Sequence, residues 1–266
     1  MGNDADEIRN WWSTSIIDMS PGKISFRGNE IENLIGNISF PQMIWMMVRG
    51  GLPSNEEASL FEAALVAGVD HGPQAPSIAA ARMAATCGVG INNAMATGIN
   101  MLGDIHGGAG EQCAELFYEI SSRIDNGVTF EKAIQEALRE WESGNGKIIS
   151  GFGHRFHKPI DPRAPRLLEL VRLAAKDNIV SGKYADIAEA IQSHLSIKKD
   201  IAINIDGATA VIFCELGFPA PLSRGLFCLS RSVGILSHAW EQIEQGGRNK
   251  GPMPPKYLPK YILKNT

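Results

Sequence analysis

Glycines, prolines and capping residues divide most of this sequence into runs whose length suits a helix. Ser39 and Pro41 open an apolar-periodic run that stops at Gly50, and Ser54 with Glu57 forms a capping box for the next run. The same signals predict further helices at about 109–124, 130–143, 164–177, 184–195, 207–217 and 223–245. The sequence therefore predicts an all-α protein.

Only a small part of the chain departs from this pattern. Two short β-prone runs flank Pro21 and Gly22, which predicts a small hairpin near the start. Residues 74–103 are rich in Ala, Gly and Met, a composition that suits closely approaching helices. The sequence contains no GxxxxGK motif and no GxGxxG motif after a strand, so the usual nucleotide-binding folds are not supported.

Charge and cysteine content restrict the classes of partner. The 266 residues carry a net charge of −4, which argues against nucleic acid and makes any anion site local. Four cysteines without a CxxC pair predict free, buried thiols in a reducing compartment. The acidic N-terminus has no apolar stretch typical of a signal peptide, and Arg82 interrupts the best candidate span at 79–103. We therefore expect no membrane association and a cytoplasmic location, or an organelle matrix after removal of a targeting peptide.

Three of the six histidines lie in glycine-flanked turns: His71 in "VDHGPQ", His106 in "GDIHGGAGE" and His154 in "GFGHRF". Glycine beside histidine lets the ring project from a tight turn towards a ligand, which suits a hydrogen-bonding group aimed at a substrate. The alternative is that each ring caps a helix or bonds to nearby backbone. Three such turns in one chain favour a site.

A lone carboxylate and a lone guanidinium lie in apolar runs. Asp206 in "IAINIDGATAVIF" is either a general base with a raised pKa or the N-cap of helix 207–217. Arg231 has apolar neighbours at Leu229, Val233 and Leu236 that look like core, so its charge needs an anionic partner. That partner is either a substrate with several carboxylates or an acidic residue of the chain.

The spacing of His154 and His157 resembles a pair of metal ligands. Arg155 lies between them and Lys158 follows, and these cations would repel a divalent ion. No carboxylate or thiol nearby in the sequence completes a ligand set. We predict no metal site.

Six short blocks occur along the chain in the order "DHG", "HGGAGE", "GFGH", "DPR", "NIDG" and "LSRSVG". Together with the opening "KISFRGNEIENLIGNISFPQMIWMMVRGGLPSNEE", they resemble the citrate synthase superfamily across residues 14–255. The resemblance implies a helical fold with a large domain, residues 1–149 and 216–266, and a small domain, residues 150–215. It also implies a homodimer or a higher homo-oligomer.

The resemblance implies a role for each block. His106 would stabilise the enol of an acyl-CoA thioester, Asp206 would move its α-proton, and His154 would polarise the oxaloacetate carbonyl. The residues implied in binding substrate are His71, Arg155, Arg163, Arg231 and Arg248, with Arg248 reaching a neighbouring subunit. Gly151, Gly153 and Lys158 would contact coenzyme A, which is a substrate here, so no permanently bound cofactor is expected.

The implied reaction interconverts citryl-CoA with acetyl-CoA and oxaloacetate. The short chain and the "GFGHRF" turn resemble citryl-CoA lyase, including the lyase module of ATP-citrate lyase. That module lacks the "HGG" histidine, whereas His106 is present here. Alternatives are a short citrate or alkylcitrate synthase that also hydrolyses the thioester, a non-catalytic CoA-binding subunit, and a helical scaffold.

Overall fold

A computed structural model of the chain describes residues 2–197, 201–254 and 256–263. The chain forms two compact units, Met1–Glu62 and Ala63–Thr266. The division into a large domain and a small domain at residues 150–215 stays a prediction.

The first unit contains the predicted hairpin. Strands β1 and β2 pair antiparallel, with Ser20 opposite Lys23, so Pro21 and Gly22 form a two-residue turn in which Gly22 has a φ of +79°. A short third strand extends this sheet. The first helix and the third strand had no clear sequence signal. The elements of this unit are α1 (Gly2–Trp11), β1 (Ile17–Ser20), β2 (Lys23–Phe26), β3 (Asn29–Glu30), α2 (Ile31–Leu34) and α3 (Phe40–Arg49).

Capping boxes fix the starts of α3 and of the next helix, α4 (Asn55–Gly68). In the second box, Ser54 Oγ accepts from Glu57 N at 3.1 Å, and Glu57 Oε2 accepts from Ser54 N at 2.8 Å. Ser39 and Gln42 make the same reciprocal pair at the start of α3. The capping box predicted for Ser54 is confirmed.

The second unit is helical, and it contains each helix predicted after residue 109. Its remaining elements are α5 (Pro76–Thr86), α6 (Ile91–Ile99), α7 (Ala109–Asp125), α8 (Phe130–Asn145), α9 (Arg163–Lys176), α10 (Lys183–Ser196), α11 (Ile205–Glu215) and α12 (Ala220–Gln245). Helix α11 packs against α7, α9 and α10, and α12 packs against α5, α6 and α7. In α11, each residue except Asp206 and Glu215 is buried. The all-α fold predicted from the sequence is confirmed. Helix α11 is surrounded almost completely by other helices of the second unit.

The Ala- and Gly-rich stretch forms the pair α5 and α6, as its composition predicts. Gly98 allows the close approach, because a Cβ there would lie 2.8 Å from the carbonyl oxygen of Ser77 and 2.7 Å from Ile235. Ala81 and Ala94 lie in the fully buried cluster that these helices share with α12. Small residues here bring the N-terminus of α5 close to the core.

The interpretation of Leu229, Val233 and Leu236 as core residues is wrong. Their exposed fractions are 48%, 54% and 41%, and they continue into exposed Trp240 and Ile243. Helix α12 carries a second apolar face because the residues spaced by three and four positions share one side of it. Its buried side carries Arg231 instead.

All four cysteines lie in the described part of the chain and none is paired, as predicted. The prediction that the thiols are buried is confirmed for Cys113 and Cys214. It is wrong for Cys87, which is exposed, and Cys228 is half-buried. Within the described ranges, no helix has the length and apolar character to cross a membrane.

Candidate active site

A short antiparallel pairing joins the turn before His154 to the start of α11. Residues 151–153 pair with residues 202–204 through backbone hydrogen bonds of 2.7 and 3.0 Å. The side chain of Asn204 adds a bond from Nδ2 to the carbonyl oxygen of Gly153 at 2.6 Å. This pairing brings the "GFGH" and "NIDG" blocks together.

Asn204, not Asp206, is the N-cap of α11. Asn204 Oδ1 accepts from the backbone N–H groups of Asp206 at 2.9 Å and of Gly207 at 3.2 Å. The helix therefore begins at Ile205, two residues before the predicted start, and the capping alternative for Asp206 is wrong. Among the described residues the carboxylate of Asp206 has no hydrogen bond and no ion pair, so it is available to a ligand.

Burial is the main influence on Asp206. It raises the pKa of the carboxyl group above its ordinary value of 3.8, and the charges of Arg231 and Arg163 oppose that rise. A raised pKa makes the carboxylate a better proton acceptor.

Arg231 is a buried cation, 6% exposed. Its Nε donates to the carbonyl oxygen of Gly68 at 2.9 Å, and the guanidinium lies 4.8 Å from the ring centroid of Phe227. Across the described ranges, no carboxylate lies within 4.0 Å of it. Burial lowers the pKa of Arg231, and the more distant carboxylates of Asp206 and Asp70 partly offset this. The internal salt bridge left open by the sequence is therefore not formed.

His106 is held in one tautomer by the N-terminus of α5. The backbone N–H of Ser77 donates to His106 Nε2 at 3.2 Å, and Ser77 Oγ lies 3.0 Å from the same atom. Because a backbone N–H can only donate, Nε2 is the acceptor and Nδ1 carries the proton of the neutral ring. Burial and the charge of Arg231 lower the pKa of His106, which keeps it neutral. His106 is thus a neutral hydrogen-bond donor.

Arg224 on α12 clamps the turn that carries His106. Its Nη2 lies 2.7 Å from Asp104 Oδ1, and its Nε contacts the carboxylate of Glu111. Gly108 is required inside this turn, since a Cβ there would lie 2.6 Å from the carbonyl oxygen of Asp104. Sequence reasoning did not select Arg224 or Ser77, because nothing in their local patterns marks them.

His154 has the opposite tautomer. Its Nδ1 accepts from the backbone N–H groups of Phe156 at 3.0 Å and His157 at 2.8 Å, so Nε2 carries the proton of the neutral ring. Burial lowers the pKa of His154 despite the opposing charge of Asp161. His71 lies beside it, with ring centroids 5.3 Å apart, and burial followed by the charge of Arg163 lowers the pKa of His71.

Asp161 orients Arg163. The Asp161 carboxylate, whose side chain is fully buried, accepts from Arg163 Nε at 3.0 Å and from Nη2 at 2.9 Å. Asp161 Oδ2 also accepts from the backbone N–H of Ile205 at 3.2 Å, the first residue of α11. Asp161 was missed in the sequence, although it belongs to the "DPR" block. Arg163 Nη1 also donates to the carbonyl oxygen of Ala67 at 3.5 Å. The predicted grip of Arg163 on substrate therefore rests on the remaining hydrogens of Nη1 and Nη2, and it stays a prediction.

Asp70 and His238 lie beside the turn of His71. Asp70 Oδ2 accepts from Gly72 N at 3.1 Å, and Asp70 Oδ1 lies 3.2 Å from His238 Nε2. Arg82 Nη1 lies 3.3 Å from His238 Nδ1. Because Arg82 can only donate, Nδ1 is the acceptor and Nε2 carries the ring N–H. The contact between His238 and Asp70 lacks the geometry of a hydrogen bond, so Asp70 Oδ1 has no hydrogen-bond partner among the described residues.

The predicted coenzyme A residues have different surroundings. Gly153, His157 and Lys158 line a cavity of about 620 Å³ together with His154 and Asn204. Gly151 is buried instead, with a φ of +87°, and an added Cβ would meet Cys113 and the backbone of Gly207. Close packing thus explains why residue 151 is a glycine, and the contact of Gly151 with coenzyme A stays a prediction.

Arg155 and Arg248 are exposed. Asn249 N and Lys250 N donate to Thr86 at the C-terminal end of α5, whereas His106 contacts Ser77 at the other end. The structure therefore does not bring Arg248 to His106 of the same chain, and its predicted role in a neighbouring subunit stays a prediction. In the part of the chain that is described, no three His, Cys, Asp or Glu side chains are arranged to hold a metal ion.

The structure is that of a mainly helical protein that brings His71, His154, Asp206 and Arg231 onto neighbouring turns and helices, with Arg231 buried. Residues 53–252 match the family model for the C-terminal domain of citrate synthase, and the chain belongs to the citrate synthase family. It is 31% identical over 215 residues to a citrate synthase from Saccharolobus solfataricus, a match that covers 79% of this chain and 54% of the relative. The chain spans about half the length of the curated relatives it matches.

Two solved structures extend the comparison. Citryl-CoA lyase from Hydrogenobacter thermophilus superposes with a TM-score of 0.80 and 31% identity, covering 96% of both chains. ATP citrate lyase from Methanosaeta concilii, in complex with (3S)-citryl-CoA, has a TM-score of 0.79 at 20% identity and matches over 44% of its length. The second likeness shows a shared fold alone.

We predict that Gly151→Ala destabilises the protein and displaces the start of α11. The left-handed backbone and the contact with Cys113 and Gly207 leave no space for a Cβ. The expected loss is about 2 kcal/mol or more in the free energy of unfolding, measured by urea titration. Gly144→Ala is the matched control, since Gly144 lies in α8 with open space around it and alanine favours a helix. Equal stability of the two variants would contradict the packing role.

Proposed function

We propose that this chain cleaves a citryl-CoA thioester reversibly into acetyl-CoA and oxaloacetate, acting by preference as a citryl-CoA lyase. The observation that carries the proposal is Arg231, a buried guanidinium with no carboxylate within 4.0 Å among the described residues. A substrate with several carboxylates supplies the anion that the protein does not. The similarity to citryl-CoA lyase from Hydrogenobacter thermophilus, over 96% of both chains, supports the same reaction.

The site supports a proton transfer at carbon. An acetyl thioester is a weak carbon acid, so charge that develops on its carbonyl oxygen needs a preorganised donor. In the proposed mechanism, Nδ1–H of His106 donates to that oxygen while Asp206 removes the α-proton. Both groups are ready for this because Ser77 fixes the tautomer and Asn204 leaves the carboxylate free.

The carbon–carbon bond forms or breaks opposite His154. In the proposed condensation, the enolate carbon attacks the carbonyl carbon of oxaloacetate, and His154 Nε2–H donates to the oxygen that becomes an alkoxide. Cleavage is the reverse sequence. The citryl hydroxyl loses its proton beside His154, the resulting alkoxide becomes the carbonyl as the carbon–carbon bond breaks, and protonated Asp206 delivers its proton to the enolate carbon. One proton therefore leaves oxygen and one is added to carbon. The proposed carboxylate ligands are Arg231, His71 and Arg163.

Coenzyme A enters this reaction as part of the thioester substrate. The proposed contacts are Gly153 and Lys158, which line the cavity of about 620 Å³ beside His154. Lys158 is exposed and cationic, which suits a phosphate group.

A homodimer is also part of the proposal. The exposed apolar residues of α12 recur on one face of the helix and would be covered by a second copy. This face consists of Leu229, Val233, Leu236, Trp240 and Ile243. Exposed Arg248, which lies just after α12, would then be available to the site of the neighbouring subunit.

The second candidate function is a short citrate synthase. His106 is present, and the relative from Saccharolobus solfataricus is a citrate synthase at 31% identity. The two functions differ in whether the thioester is hydrolysed. We expect incubation with citryl-CoA to yield oxaloacetate, detected by NADH oxidation with malate dehydrogenase, and acetyl-CoA, without free thiol. Steady release of free thiol from acetyl-CoA and oxaloacetate would instead identify a synthase.

Asp206→Asn is predicted to lower the turnover rate about 10²- to 10⁴-fold, because the amide cannot accept the α-proton. Binding of coenzyme A, measured by calorimetry, should stay unchanged. Asp177→Asn is the control, since that residue is exposed at the end of α9. Retention of full activity in Asp206→Asn would contradict the proposed base, and a wild-type protein that binds coenzyme A without turnover would indicate a non-catalytic subunit.

The turnover rate is predicted to fall on the acid side only after the pH drops below 6.5, the ordinary histidine pKa. Burial lowers the pKa values of His106 and His154, so both rings stay neutral at higher pH. Protonation of His106 at Nε2 would bring two N–H groups, that of His106 and that of Ser77, against each other. The hydrogen bond that holds the His106 ring in place would then be lost. The check is kcat measured from about pH 5 to pH 8. Loss of rate between pH 7.5 and pH 6.5 would contradict neutral imidazoles with lowered pKa values.

A further inference from the structure

His157 has no role in the reaction described so far, yet it lies at the centre of the site. It follows His154 by three residues, and its backbone N–H donates to His154 Nδ1 at 2.8 Å. This bond turns residues 154–157 into a compact turn that points both imidazole rings into one space. The sequence pattern alone suggested a metal pair that the cations nearby exclude.

Three imidazole rings enclose that space. The ring centroids of His154 and His157 are 4.6 Å apart, those of His71 and His154 are 5.3 Å apart, and those of His71 and His157 are 6.3 Å apart. The exposed ring of Phe156 packs edge-on against His157 at 5.2 Å. His157 is therefore held in place by rings on two sides and is half-buried.

The ring nitrogens of His157 have no protein partner. Among the described residues, its hydrogen bond to His154 comes from the backbone, and the ring itself makes none. Asp161 is the nearest acidic residue in sequence, and both of its oxygens are occupied by Arg163 and by Ile205 N. Of the three rings, His154 presents a donor at Nε2, and Asp161, the acidic residue nearest to His157 in sequence, is already bonded.

The cavity beside these rings is large enough for a small anion. His157 lines the cavity of about 620 Å³ with His154 and Lys158, so the residue whose ring nitrogens make no hydrogen bond borders space accessible to a ligand. A carboxylate offers the two oxygen acceptors that neighbouring imidazole N–H groups lack. A purely structural stack of rings would need neither the unpaired nitrogens nor the open cavity.

We propose that His157 is a substrate-binding residue that donates to a carboxylate of the oxaloacetate or citryl group and sets the preference for a dicarboxylate over a monocarboxylate 2-oxoacid. The inference rests on the proposed function, because it assumes that this group binds at His154. In this arrangement His154 meets the oxygen at the reacting carbon, and His157, whose ring centroid lies 4.6 Å from that of His154, meets the carboxylate.

Two substitutions separate binding from packing. His157→Phe keeps an aromatic ring against Phe156 and His154 but removes both nitrogens, whereas His157→Gln keeps a donor and loses the ring. We expect His157→Phe to raise the Kd for oxaloacetate and for citrate about 10- to 100-fold, measured by calorimetry, with a smaller rise for His157→Gln. The Kd for coenzyme A should not change. The preference for oxaloacetate over pyruvate should fall by the same factor.

His194→Gln is the matched control, since His194 is a partly buried histidine near the end of α10. It should leave each of these constants unchanged. Circular dichroism and thermal melting establish that the variants are folded. If His157→Phe does not fold, the ratio of Kd values for oxaloacetate and pyruvate in His157→Gln decides the question.

The outcomes separate this inference from the proposed function. If the wild-type protein binds and turns over the substrates and His157→Phe binds oxaloacetate equally well, the role of His157 is wrong while the proposed function stands. If only His157→Gln folds and its ratio of Kd values for oxaloacetate and pyruvate equals that of the wild type, the role of His157 is likewise wrong. If the wild-type protein neither binds oxaloacetate nor cleaves citryl-CoA, the proposed function fails and this inference fails with it.

Discussion

The site depends on how the N-terminus of α11 is satisfied. A helix that begins inside a core exposes backbone N–H groups that must find acceptors there. Asn204 supplies one acceptor oxygen to two of them, and Asp161, from a distant segment, supplies another to Ile205. Because these two side chains complete the cap, the carboxylate of Asp206 in the first turn is left free. Asn204 and Asp161 therefore cap the helix, and Asp206 stays free for the role of base that we propose for it.

The same cap connects the other parts of the site. Asp161 also fixes Arg163, and Asn204 bonds to Gly153 in the turn before His154. A displacement at the start of α11 would therefore move the cation, the histidine and the carboxylate together. This linkage explains why the backbone around Gly151 and Gly207 is packed too closely for a side chain. The side chains of the site are positioned by hydrogen bonds from Asp161 and Asn204 to neighbouring backbone and side-chain groups.

Burial has a larger effect than ion pairing on the pKa values of the ionisable groups in the site. The pKa values of His71, His106 and His154 are each lowered chiefly by burial, whereas that of Asp206 is raised by it. Each shift moves its group towards the neutral form, as low polarity requires. Arg231 keeps its charge, because a guanidinium is not readily deprotonated. The proposed binding of an anionic substrate rests on this arrangement, in which the buried Arg231 has no carboxylate within 4.0 Å among the described residues.

Most of the helices could be predicted from the sequence, because glycine, proline and capping signals are local. The blocks that carry His71, His106, His154 and Asp206 were also visible locally. The supporting residues were not, since Ser77 and Arg224 act on His106 across 29 and 118 positions of the chain. Leu229 and Val233 were wrongly predicted to be core residues for a related reason. An apolar pattern does not tell whether a helix face packs against its own chain or is exposed on the surface of that chain.

The choice between cleavage and condensation cannot lie in the acid–base set. The same groups serve both directions of one reaction, because the transition state for carbon–carbon bond formation is also that for its cleavage. A synthase differs in letting water reach the thioester carbonyl after condensation, whereas a lyase must exclude water from that carbon. Tautomers fixed by Ser77 and by the backbone at Phe156 and His157 suit either enzyme. For the proposed reaction we therefore place the distinction in the walls around the thioester, and the proposed walls include the cavity lined by His157 and Lys158.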